Sequence, residues 1–119
     1  MEYLLMIHSE TSSNVEAVPQ AVRAQMLGAY GAYTEALKQA GVLRGMNRLR
    51  PAASATAVRV RDGKTEVHNG PYIETREELG GYYLIDVANL DAALSWAARC
   101  PGASHGTMEV RPVWAMGEY

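Results

Sequence analysis

His8, His68 and His105 are the side chains of this chain whose ordinary titration lies nearest neutral pH, so they are the first candidates for moving a proton. No two of them stand at ligand spacing, and the single cysteine, Cys100, has no second cysteine with which to build a thiolate site, so no metal is expected. His8 closes an apolar segment, Tyr3 to Ile7, and could face a cleft as a proton acceptor or serve as a hydrogen-bonded structural group. Glu74 follows a Gly-Pro turn at Gly70-Pro71, which would fix a carboxylate at a cleft mouth as a general base. With Arg76, Glu77 and Glu78 it also reads as a solvated charged loop. Glu74 and His8 are therefore the catalytic candidates.

Tyr30 and Tyr33 fall on one helical face, and Tyr72, Tyr82 and Tyr83 cluster further on. Tyrosine offers apolar area with a polar tip, which suits a pocket for a planar small molecule and equally suits a core or dimer contact. Tyr30, Tyr33, Tyr72 and Tyr83, with Arg76, form the candidate substrate-binding set. Arg44, Arg48, Arg50, Arg59, Arg61 and Lys64 concentrate positive charge that could attract a carboxylate, a phosphate or an acidic protein, or could simply line a wet hairpin face. No nucleophile elbow, phosphate loop or dinucleotide glycine pattern occurs, and no cofactor is expected. Cys100 precedes a proline at a helix end, where the dipole disfavours a thiolate.

At 119 residues the chain suits one domain, residues 1–119, and 48% hydrophobic with 20% charged residues argues for a folded chain. A net charge of -2 argues against a protein built to neutralise a nucleic-acid backbone. The longest apolar runs are far too short for a bilayer, and one unpaired cysteine with no leader pattern fits a soluble protein of the reducing cytoplasm.

These groups must be positioned by elements that the periodicities outline. Tyr3 to Ile7 is apolar on both alternating faces, as in a central strand covered on both sides. After a polar loop from Ser9 to Asn14, Val18, Val22, Met26, Tyr30, Tyr33, Leu37 and Ala40 recur every three or four residues. They predict a long helix opened near Pro19 and stopped at Gly41. Gly28 and Gly31 inside it suggest a close neighbour there. Val42 to Leu49 predicts a strand. Thr56–Arg61 and Thr65–His68, joined by Asp62-Gly63, predict a hairpin with one wet face. Gly80 to Val87 predicts a strand, Asn89 caps a helix carrying Leu90, Ala93, Leu94 and Ala97, and Met108 to Trp114 ends the chain as a strand. The order is βαββαβ with an inserted hairpin, an α+β ferredoxin-like fold. Its bare sheet face implies a cover, most simply a second copy, so a homodimer is expected.

The run from Asn69-Gly70-Pro71-Tyr72 through Glu74-Thr75-Arg76-Glu77-Glu78-Leu79-Gly80-Gly81-Tyr82-Tyr83 resembles the signature of the DGPF branch of the YCII-related superfamily. The likeness extends through Val58 to Lys64 and through Glu109-Val110-Arg111-Pro112-Val113. Asn69 and Tyr72 depart from the Asp and Phe of that signature; asparagine keeps the turn hydrogen bond and removes a charge. The resemblance implies a dimeric α+β barrel with a cleft in or beside it. Some superfamily members pair a helix histidine with an aspartate; the approximate equivalents here are Tyr30 and Cys100, so that mechanism does not carry over. Two functions remain open: a small-molecule enzyme performing a lyase- or isomerase-type proton transfer, and a binding or regulatory module associated with sigma-factor systems through a protein partner.

Overall fold

The computed structural model describes residues 1–10 and 18–118. In chain order the elements are β1 (Glu2–Glu10), α1 (Gln20–Gln39), β2 (Leu43–Arg48), β3 (Thr56–Arg61), β4 (Lys64–Asn69), β5 (Glu77–Asp86), α2 (Leu90–Arg99), a one-turn α3 (Gly102–His105) and β6 (Thr107–Pro112). Ser9 and Glu10, expected in a loop, extend β1; the remainder of that loop, residues 11–14, lies outside the described residues. Glu77 and Glu78 likewise belong to β5.

Four strands form one antiparallel sheet in the order β2-β5-β1-β6, and β3-β4 form a separate two-stranded sheet. With the hairpin set aside this is the ferredoxin-like arrangement. β1 and β2 run parallel with β5 between them, so α1 must cross from one to the other over a sheet face.

Period-two alternation sends Tyr3 and Leu5 of β1, and Tyr83 and Ile85 of β5, to that helix-covered face. They meet Tyr33 and Leu37 of α1, Ala93 and Ala97 of α2, and Cys100. Leu5, Leu37 and Ile85 are fully buried, each contributing about 1.5–3 kcal/mol of apolar transfer. The small Ala93 and Ala97 bring α2 close to the sheet, whereas Leu90 and Leu94, expected on the same buried face, are each 47% exposed.

α1 begins after Pro19 and ends at Gly41, whose φ of +72° suits glycine. Only its second half packs on the sheet. In the first half Val22 and Leu27 are exposed, and a Cβ at Gly28 or Gly31 would meet nothing within 4 Å. The close neighbour expected at those glycines is thus absent among the described residues of one chain. Asn89 caps α2 as expected, its side chain accepting from the Ala92 backbone N–H at 2.9 Å.

The hairpin turns at Asp62 (φ +50°) and Gly63 (φ +74°), the left-handed pair that two-residue hairpin loops need. Register places Val58 opposite Val67 and Val60 opposite Thr65 on one face, and Arg59 opposite Glu66 on the other. The expectation of a single wet face is corrected: Val58, Val60 and Val67 are 67%, 65% and 64% exposed, because no element among the described residues packs over them. No helix among the described residues is long and apolar enough to cross a membrane.

Candidate functional site

The site is built on the sheet face away from the helices. There Leu4, Met6 and His8 of β1 lie beside Tyr82 and Leu84 of β5 and Thr107, Glu109 and Arg111 of β6, by alternation and register. Leu4, Met6 and Leu84 are only half-buried and stand outside the core cluster.

His8 is held from both sides. On the β5 side the ladder slips between Ile7 and His8, leaving Gly80 as the extra residue of a bulge. On the β6 side Gly106 lies so close that a Cβ there would fall 2.0 Å from the His8 carbonyl oxygen. Thus fixed, the ring directs Nε2 to Glu109 Oε1 at 3.0 Å, with the His8 side chain about a quarter exposed. A carboxylate at Nε2 favours the tautomer protonated there, which leaves Nδ1 as the acceptor, and it stabilises the imidazolium once a proton arrives. Alongside, the Thr107 hydroxyl donates to Glu77 Oε1 at 3.0 Å, and Asn47 Nδ2 donates to the Tyr82 hydroxyl at 2.8 Å.

The other sequence candidates do not join His8. Glu74 lines a shallow depression of about 240 Å³ with Ala52, Pro71 and Ile73. Arg76 forms an exposed ion pair with Glu10 at 3.1 Å. Tyr72 is 73% exposed beneath the Arg59 guanidinium, 5.5 Å from its ring centre. Tyr33 and Tyr83 are core residues, meeting edge to face at 5.2 Å. The Tyr33 hydroxyl donates to the Trp96 carbonyl at 2.7 Å, and that of Tyr83 pairs with Thr34 Oγ1 at 2.8 Å. With rings buried and hydroxyls engaged, neither offers a face to a bound molecule, so their placement favours the core alternative.

Tyr30 is half-buried under the helices, near Gly102, where a Cβ would come within 3.0 Å of its hydroxyl and 2.8 Å of Ile7. Desolvation, reinforced by Cys100 and Tyr83, pushes its pKa up to about 12. Burial raises Tyr33 and Tyr83 as well, and raises the Cys100 thiol, which is therefore a poor nucleophile. The basic residues divide: Arg44 reaches Asp86 at 3.7 Å, while Arg59, Arg61 and Lys64 share one hairpin face, with Glu66 opposite Arg59.

Glu109, Thr107 and Tyr82 are what sequence reasoning missed as site residues. The polar alternation Thr107, Glu109, Arg111 was visible, but it acquires meaning only once β6 is known to pair with β1, about a hundred positions away. No group of three or more His, Cys, Asp or Glu among the described residues has the geometry of a metal site.

Comparison with known proteins follows this geometry. Over 77 residues the chain is 46% identical to an uncharacterised protein of Rhizobium meliloti (strain 1021), a match covering 63% of this chain. The chain spans 62% of that relative's length. Among solved structures it is similar to 5-chloro-2-hydroxyhydroquinone dehydrochlorinase (TftG) from Burkholderia phenoliruptrix AC1100, in complex with 2,5-dihydroxybenzoquinone. That likeness has a TM-score of 0.53 and 15% identity over 99% of this chain and 97% of the other, and it is one of fold. The profile of the YCII-related domain matches residues 1–117, and the chain belongs to that family.

Proposed function

We propose that the protein is a homodimeric small-molecule enzyme of lyase or isomerase type, in which His8 on the open sheet face takes a proton from the substrate. The observation that carries this reading is the His8–Glu109 pair, 3.0 Å apart on a sheet face that no described element covers. Nδ1 accepts the proton, Glu109 steadies the resulting imidazolium, and the half-buried Leu4, Met6 and Leu84 offer apolar area to a planar molecule. A second copy laid over this face would bury those side chains and close the open surface into a cleft. The structural neighbour, a dehydrochlorinase bound to a small quinone, supports the substrate class.

The test is calorimetric titration of wild type with 2,5-dihydroxybenzoquinone, together with chloride release from 5-chloro-2-hydroxyhydroquinone. Turnover should be lost in His8→Ala and reduced by about 100-fold or more in Glu109→Gln, with binding persisting in both. Glu74→Gln should behave as wild type. Wild-type turnover in His8→Ala, or loss of turnover only in Glu74→Gln, overturns the assignment.

A further inference from the structure

We infer that the β3–β4 hairpin is an arm whose valine face, Val58, Val60 and Val67, is buried on a second copy of this chain. This deepens the dimer proposed above by assigning it a contact outside the sheet face.

An isolated two-stranded hairpin is marginal in water, and this one presents its apolar cross-strand pair to solvent. The opposite face is charged, with Arg59 opposite Glu66 and over the ring of Tyr72 and Arg61 opposite Lys64, so the valine side is the one whose burial would gain most. The arm is nevertheless set at a defined place. The Gly70 N–H donates to the Ala55 carbonyl at 2.7 Å, closing its base, and Ala52 N–H donates to Glu78 at 3.1 Å, tying the preceding turn to β5.

The dimensions point the same way. A chain of this length is expected to have a radius of gyration of roughly 13.5 Å; the observed value is 16.5 Å, with extents of 47 × 47 × 19 Å. This is a thin plate whose broad face exceeds the about 800 Å² per partner that a stable pair needs. The uncovered first half of α1, with Val22 and Leu27, adds a second apolar region, and a net charge of -2 gives little self-repulsion. A second copy is the one partner certain to share those surfaces at equal concentration.

The experiment uses the full chain. Sedimentation equilibrium should show a dimer for wild type, and the double variant Val58→Asp/Val67→Asp should weaken dimerisation by at least about tenfold. Arg61→Ser, on the opposite face, should leave it unchanged. Hydrogen exchange of the wild-type chain provides a reading that does not depend on the variant's folding: β3–β4 amides should be protected at high concentration and lose protection on dilution through dissociation. A wild-type monomer overturns the inference, as does a dimer indifferent to both aspartates or hairpin exchange that ignores concentration. A dimer indifferent to both aspartates sinks this inference and leaves the His8 reading standing, and loss of the His8-dependent activity leaves these readings untouched, so the two proposals are distinguishable.

Discussion

Replacing Gly106 by alanine should damage this protein far more than its half-buried, irregular position suggests. The residue joins α3 to β6, and its φ of -159° is open to any amino acid, so backbone strain is not the issue. The obstacle is contact: the added Cβ would lie 2.0 Å from the His8 carbonyl oxygen, where ordinary packing begins at 3.4 Å. The α3–β6 junction must therefore retreat from β1 by about 1.4 Å, against backbone that cannot rotate aside. Such a shift disturbs the Ile7–Met108 and His8–Thr107 pairs at that end of the ladder. We expect a cost near the upper end of overpacking, about 3 kcal/mol. With an unfolding entropy of about 2.1 cal/mol/K per residue over 119 residues, the melting temperature falls by roughly 12 °C. Circular dichroism melts measure this, with Gly28→Ala as the internal comparison. Gly28 lies inside α1 with nothing within 4 Å of its would-be Cβ, so alanine there should stabilise by about 1 kcal/mol and raise the melting temperature by about 4 °C. A Gly106→Ala melt within about 2 °C of wild type would refute the steric argument. A lowered melt for Gly28→Ala would restore the close neighbour that the helix glycines suggested.

Two further outcomes are expected. Asn89→Ala removes the acceptor for the Ala92 N–H and should cost about 1 kcal/mol in urea unfolding, with no change in slope. Alkaline titration should show Tyr30, Tyr33 and Tyr83 resisting ionisation; their folded pKa values are raised by burial, so the fold prefers the neutral phenol. The stability this contributes is complete below the unfolded value near 10 and is lost as pH rises through the folded values, about 12 for Tyr30. Tyrosinate absorbance should rise in two stages, the second coinciding with loss of the helical signal; a single stage before unfolding would contradict it.

The elements were legible in the sequence because each rests on local physics. Asn89 announces its helix by a side chain that can cap, Asp62-Gly63 announces a turn by tolerance of positive φ, and β1 announces a central strand by apolar residues of both parities. What was not legible depends on partners distant in sequence. The periodicity of α1 marks an apolar stripe but not that the sheet ends halfway along it, so Val22 and Tyr33 look equivalent and only Tyr33 is buried. The valines of β3 and β4 alternate as half-buried strands do, yet burial requires an opposing layer that the described residues of one chain do not supply. For the site, His8 was identifiable by its chemistry, whereas Glu109 needed the β1–β6 register, and Tyr83 was indistinguishable from its neighbour Tyr82 until parity assigned one to the core and the other to the open face.

The sheet order also has a consequence during synthesis. β1 is made before both of its hydrogen-bonding neighbours, β5 and β6, which begin at Glu77 and Thr107. At translation rates of about 5–20 residues per second, roughly 3–13 s pass before β5 starts to emerge, and longer before β6 does. Throughout that interval Tyr3, Leu4, Leu5, Met6 and Ile7 are an apolar segment of the nascent chain without the strands they pair with in the fold. Chaperone capture and premature aggregation should therefore focus on the first ten residues, and a charge placed at Met6 would relieve both during translation while altering the open face of the finished sheet.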